Sequence, residues 1–183
     1  DRTGRVEALS WSTLREARIG GQEPIPLLED LLAAWPAIRV NIDPKHDAAV
    51  APLIALIRRL GAQDRICIGS FSDKRIRQFQ DAFDGRLCTS LGPSGVLKLK
   101  AAALGLPLRV SPAGCVQVPA RARGMTIVDR RFVEAAERNS LQVHVWTIDD
   151  EAEMKRLLDL GVHGLMTDRP RMLKEVLQAR GVW

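Results

Sequence analysis

The chain has 183 residues, 46% hydrophobic and 27% charged, and this balance excludes wholesale disorder and fits a single domain over residues 1–183. Its longest apolar runs are a few residues, far short of the roughly 20 that span a bilayer, so no membrane span is expected. The net charge of +5 is spread along the chain, with only short basic groups at Arg121/Arg123 and Arg130/Arg131, so no nucleic-acid partner is expected either.

In chain order, the first run with strand character is Ile38-Arg39-Val40-Asn41-Ile42-Asp43. Ala48 to Leu60 follows with Val50, Leu53, Ile54, Ile57 and Leu60 on one stripe, which predicts an amphipathic helix. Ile66 to Phe71 reads as a strand and Lys74 to Phe83 as a helix. Leu87 to Leu91 is the next strand, and Ser94 to Leu104 the next helical stretch. Cys115 to Val118 is followed by a helical pattern over Arg130 to Ser140. Val143 to Ile148 precedes a helix over Glu151 to Leu160, with Asp149 or Asp150 as N-cap and Gly161 as stop signal. Gly164 to Asp168 and a helix over Arg171 to Ala179 close the chain.

Strands alternating with helices predict parallel βαβ units with right-handed crossovers, an α/β fold. A doubly wound open sheet would prefer a Gly-rich phosphate turn, and neither G-x-G-x-x-G nor G-x-x-x-x-G-K-[ST] occurs. Polar residues gather instead at the strand exits: Asp43/Lys45, Ser70/Phe71, Gln117, Trp146/Thr147 and Thr167/Asp168. That distribution favours a TIM-type (β/α)8 barrel, whose chemistry sits at the C-terminal strand ends. A barrel needs eight strands, and this chain offers six.

Three constellations are candidates for chemistry. Asp43 and Lys45 stand two apart after a strand, so they project to the same side. A carboxylate beside an ammonium there can hold a divalent cation and a phosphate together. Trp146 could wall a pocket for a polyol with its ring face and indole N–H. His144, two residues earlier, shares its face and reads as structural. Gly161 to Pro170 reads as architecture, with Asp168 and Arg169 able to pair or cap. No G-x-S-x-G elbow, zinc-spaced Cys/His cluster or close carboxylate pair is present. The three cysteines, Cys67, Cys88 and Cys115, are an odd count in apolar runs. They read as buried small hydrophobes of a cytoplasmic protein rather than a disulfide framework.

Taken together, the segments resemble the glycerophosphodiester phosphodiesterase family nearly end to end. Asp1-Arg2-Thr3-Gly4 is similar to the tail of its H-D-x-x-L-x-R-T-T-x-G-x-G stretch, and Ile25-Pro26-Leu27-Leu28-Glu29-Asp30-Leu31-Leu32 to I-P-T-L-E-E-V-L. Asn41-Ile42-Asp43-Pro44-Lys45 resembles the E-x-K strand with Asp in place of Glu, and Ser70-Phe71 the S-F that ends the next strand. Val145 to Asp149 resembles V-W-T-V-N/D, and Gly161 to Pro170 resembles G-V-D-G-I-I-T-D-R-P with His163 for Asp.

The resemblance implies a (β/α)8 barrel that hydrolyses a glycerophosphodiester to glycerol 3-phosphate and an alcohol with a divalent metal, Mg or Ca. It implies Asp43 as a metal ligand and Lys45, Phe71 and Trp146 as substrate-binding residues. None of the three histidines present, His46, His144 and His163, matches the family's acid and base. The H-R-G and E-x-D motifs are not found. The chain therefore reads as the C-terminal three-quarters of the domain, without the first two strands and first helix, its natural start upstream of Asp1. By itself it is expected to be inactive. The alternative is a non-catalytic phosphate-binding or self-associating module, a homo-oligomer paired through exposed strand edges.

Overall fold

A computed structural model describes residues 3–122 and 124–183, and these fall into two compact units, residues 1–38 and 39–183. Asp1 and Arg2 of the first motif, and Arg123 of the basic group, lie outside the described residues. In the first unit a 3-10 turn, Val6–Ala8, precedes a short helix α1 (Trp11–Leu14). The Ser10 hydroxyl caps α1 by accepting from the Thr13 amide at 3.3 Å. Strands β1 (Arg18–Ile19) and β2 (Glu23–Pro24) form an antiparallel hairpin. Gly20 and Gly21 both have positive φ, which a two-strand return of this kind requires. Helix α2 (Leu28–Ala34) begins inside the Ile25 to Leu32 segment, with Glu29 and Asp30 in its first turn and Leu32 buried.

The second unit carries the expected alternation. Its elements are β3 (Val40–Ile42), α3 (Val50–Leu60), β4 (Ile66–Ile68), α4 (Asp73–Ala82), β5 (Cys88–Thr89), α5 (Pro93–Ala103) and β6 (Cys115–Pro119). A small antiparallel hairpin of β7 (Arg121–Ala122) and β8 (Met125–Thr126) interrupts the pattern. Then come α6 (Arg130–Arg138), β9 (Gln142–Trp146), α7 (Glu151–Asp159), β10 (Gly164–Leu165) and α8 (Pro170–Ala179). The six long-range strands and six helices stand where periodicity predicted them. The strands are shorter than the apolar runs, so Asp43, Ser70 and Phe71 are freed into the loops beyond.

β3, β4 and β5 pair in parallel, as do β6, β9 and β10. A parallel bridge between Ser90 and Cys115 joins the two halves, with the Leu91 amide donating to the Cys115 carbonyl at 2.9 Å. The order β3-β4-β5-β6-β9-β10 is sequential, the order that staves take in a barrel. Among the described residues the sheet does not close into a barrel, and the α/β class stands.

Parity decides the faces. Ile66, Ile68, Val116, Val118, Val143 and Val145 are buried against the helices, each 3% exposed or less. Val116, Val118, Val143 and Val145 join Phe132, Met154, Leu157 and Leu99 in the main core. The alternate positions, Asn41, Cys67, Cys115, Gln117, His144 and Trp146, line the opposite face of the sheet. Helix ends follow local chemistry. Ser72, Asp129 and Asp150 cap α4, α6 and α7, and Gly61 ends α3 in the left-handed conformation. Pro93 and Pro170 open α5 and α8.

The cysteines differ from expectation. Cys115 is buried, but Cys67 is half-buried and Cys88 exposed, because all three stand on the face away from the helices. No described helix is long and apolar enough to cross a membrane.

Candidate active site at the strand exits

β3 stops at Ile42, and the next residues turn outward as a loop anchored by the buried Pro44. Asp43 and Lys45 project together, and the Lys45 Nζ donates to Asp43 Oδ2. The other carboxylate oxygen, Asp43 Oδ1, is buried and has no hydrogen-bond partner. The Lys45 ammonium stands 5.9 Å from the centroid of the Phe71 ring. Phe71 in turn meets Trp146 edge to face, with centroids 5.9 Å apart. Four residues from three strand exits, Asp43, Lys45, Phe71 and Trp146, are thus one constellation.

The loop is held from α4. Arg75 Nη1 donates to the Pro44 carbonyl at 3.0 Å, and its Nε donates to Asp47 Oδ1 at 2.6 Å. The hydrogen bonds from Arg75 and then Lys74 keep the Asp47 carboxyl below the usual carboxylate range. On the sheet face below, Gln117 Nε2 donates to Asn41 Oδ1 at 2.9 Å, and Asn41 Nδ2 returns a bond to Gln117 Oε1 at 3.4 Å. Gly69 leaves the room this needs, since a Cβ there would stand 2.7 Å from Gln117 Oε1. Sequence reasoning named Gln117 as a strand-exit residue but missed this pair, because its partners lie 76 positions apart.

The loop after β9 is tied to the loop after β10. Asp149 Oδ1 accepts from Thr167 Oγ1 and from the Asp168 amide, both at 2.8 Å. Those two bonds, Thr167 first, lower the Asp149 pKa. Asp168 therefore pairs through its backbone with Asp149, and Asp150 is the N-cap of α7. The histidines serve the framework. His46 Nδ1 accepts from the Ala48 amide and His163 Nδ1 from the Val143 amide, each at 3.2 Å. His144 is half-buried on the sheet face, where desolvation lowers its pKa.

The donor set suits a hard cation in one respect. The unused lone pairs of Asp43 Oδ1 are carboxylate oxygen, the donor that Mg²⁺ and Ca²⁺ prefer, and such ions complete their shells with water and substrate oxygens.

Comparison with known proteins gives one consistent result. Residues 1–172 match the Glycerophosphoryl diester phosphodiesterase family. That match takes in nearly the whole chain and does not mark it off as three-quarters of the domain. A Mycobacterium tuberculosis protein named probable glycerophosphodiester phosphodiesterase 2 is 39% identical over 186 residues, 99% of this chain and 70% of the relative. A solved glycerophosphodiester phosphodiesterase from Parabacteroides distasonis superposes with a TM-score of 0.73 at 20% identity, over 94% of this chain and 72% of that one. A solved glycerophosphoryl diester phosphodiesterase from the same organism gives a TM-score of 0.72 at 16% identity, over 98% and 67%. At these identities the structural likeness speaks for the fold.

Proposed function

Because the chain belongs to the Glycerophosphoryl diester phosphodiesterase family, we propose that it serves the metal-dependent hydrolysis of a glycerophosphodiester to glycerol 3-phosphate and an alcohol. The observation that carries this reading is the Asp43–Lys45–Phe71–Trp146 constellation, an acid, a cation and an apolar wall within one strand-exit cluster. Asp43 Oδ1 would hold Mg or Ca, and the ion, when bound, supplies positive charge to the phosphoryl oxygens. Lys45 meets the phosphate as a point charge, exchanging its carboxylate partner for a phosphate oxygen. Phe71 and Trp146 pack the glycerol carbons and exclude water from that side, and the Trp146 indole N–H is available to a hydroxyl. In this reading the six sequential strands are six staves of an eight-stranded barrel.

The 183-residue chain alone is proposed not to turn over. None of His46, His144 and His163 stands where the family's motifs carry the acid and the base, and His46 and His163 each accept from a backbone amide of the framework. The test is calorimetric titration of the chain with glycerol 3-phosphate, with and without Mg²⁺ or Ca²⁺, beside a glycerophosphocholine hydrolysis assay. Cation-dependent binding that Asp43→Asn and Lys45→Met each weaken by about tenfold or more supports the site. Binding indifferent to both variants overturns it, and measurable hydrolysis overturns the inactivity. Binding without turnover also fits the non-catalytic phosphate-binding reading, whose homo-oligomer would cover the edges at β3 and β10.

A further inference from the structure

The parallel register gathers three thiols that sequence spacing keeps apart. Cys67 on β4 pairs in register with Cys88 on β5, and Cys115 begins β6 beside Ser90. Their sulfurs all lie within 4.8 Å of one another, and Cys67 Sγ and Cys115 Sγ are 3.6 Å apart. Among the described residues this is the one cluster of three or more metal-ligating side chains so gathered.

From this geometry we propose that Cys67, Cys88 and Cys115 form a binding site for a thiophilic divalent cation of the zinc class, separate from the Asp43 site. Three sulfurs each ~2.3 Å from a zinc ion stand roughly 3.8 Å from one another, close to the spacing already present. A disulfide would need two of them at about 2.05 Å. Small side-chain rotations therefore suffice for a shared metal, whose fourth position is left to water.

Two further observations point the same way. The Gln117 side-chain amide aims Nε2 at both Cys67 Sγ and Cys115 Sγ, 3.7 Å from each. Donors of this kind stabilise thiolates and orient metal ligands from behind. A route in also exists. A cleft of about 750 Å³ lined by Gln80, Arg86, Cys88, Thr89, Pro112 and Gly114 opens on the exposed Cys88. The cluster lies on the N-terminal side of Gln117 along β6, away from the strand exits, so hard and soft cations would occupy different layers of one sheet face.

The experiment titrates the reduced 183-residue chain with Cd²⁺, a spectroscopic stand-in for Zn²⁺, and follows the ultraviolet thiolate-to-metal band. Thermal unfolding with and without Zn²⁺ runs in parallel. One equivalent of metal is expected, with a thiolate band and a raised Tm, in the parent chain and in Asp43→Asn alike. Cys88→Ser, an exposed and nearly isosteric change that the fold should accept, is expected to lower Zn²⁺ affinity by about 100-fold and to remove the Tm shift. Absence of a thiolate band overturns the proposal, as does a band or Tm shift unchanged in Cys88→Ser. Loss of the Tm shift in Asp43→Asn with Cys88 intact would assign the stabilising metal to the strand exits and overturn it equally.

Discussion

Phe71 and Trp146, 75 positions apart, meet edge to face at 81° with ring centroids 5.9 Å apart. Phe71 is 69% exposed, so little apolar burial explains its place, and the ring contact is its main tie to the sheet. A double-mutant cycle with Phe71→Leu and Trp146→Leu, read by guanidinium unfolding, is expected to give a coupling of about 0.5 kcal/mol, the lower end for such pairs. A coupling indistinguishable from zero would show that the rings are neighbours without interaction.

The loop carrying Asp43 and Lys45 depends on Arg75, which bonds both Pro44 and Asp47. Arg75→Met removes both ties while keeping the apolar stem. Amide hydrogen exchange at residues 45–49 is expected to quicken, with the amides of β9 unchanged. Unaltered exchange in the loop would mean that Pro44 burial alone holds it.

The Asp149 bonds to Thr167 and Asp168 make stability depend on pH. Its folded pKa is lowered, so the unfolded chain binds the proton more readily. The contribution is complete above the unfolded value of about 3.9 and disappears as pH falls through the lower folded value. Asp149→Asn is therefore expected to lower Tm at pH 7 and to flatten the decline of Tm below about pH 4. Parallel Tm profiles for the two proteins across that window would contradict this.

Asp129 does two jobs at the start of α6. It accepts from the Phe132 amide at 2.9 Å and from Lys100 Nζ at 2.8 Å. Burial pushes its pKa up, but the Lys100 and Phe132 bonds outweigh it and the net direction is down. Asp129→Ala is expected to cost about 1–2 kcal/mol, with Asp129→Asn costing less because Asn also caps. Equal losses for the two would place the stabilisation in the charge and not in the cap.

The core beneath should answer as a close-packed interior. Phe132 is fully buried among the strand valines and Leu157. Phe132→Ala is expected to cost about 3–5 kcal/mol, measured by denaturant unfolding. A loss below about 1 kcal/mol would mean the site collapses without a cavity.

Strands and helices of residues 39–183 were legible because their signals are local. β-branched runs such as Val40-Asn41-Ile42 and the stripe Val50, Leu53 and Ile57 need no distant partner to be read. The Asp43–Lys45 pair was legible for the same reason. The hairpins at β1–β2 and β7–β8 were missed; the first turns on Gly20-Gly21, a signal available in the sequence. The thiol cluster and the Asn41–Gln117 pair were illegible because they arise from register between strands. Residues 67, 88 and 115 carry no motif spacing, yet strand parity and sequential order together put them on one face.

The sequential strand order also says how the chain finds its fold. Val40 meets Ile66, Cys67 meets Cys88, Ser90 meets Cys115, Cys115 meets Gln142 and His144 meets Gly164. Every pairing in that ladder closes a loop of roughly 20 to 27 residues, and none waits on a contact from the far end. The contact order is therefore low for a parallel sheet. Each strand–helix unit can dock as soon as it leaves the ribosome, and the ladder can lengthen in the order in which it is synthesised.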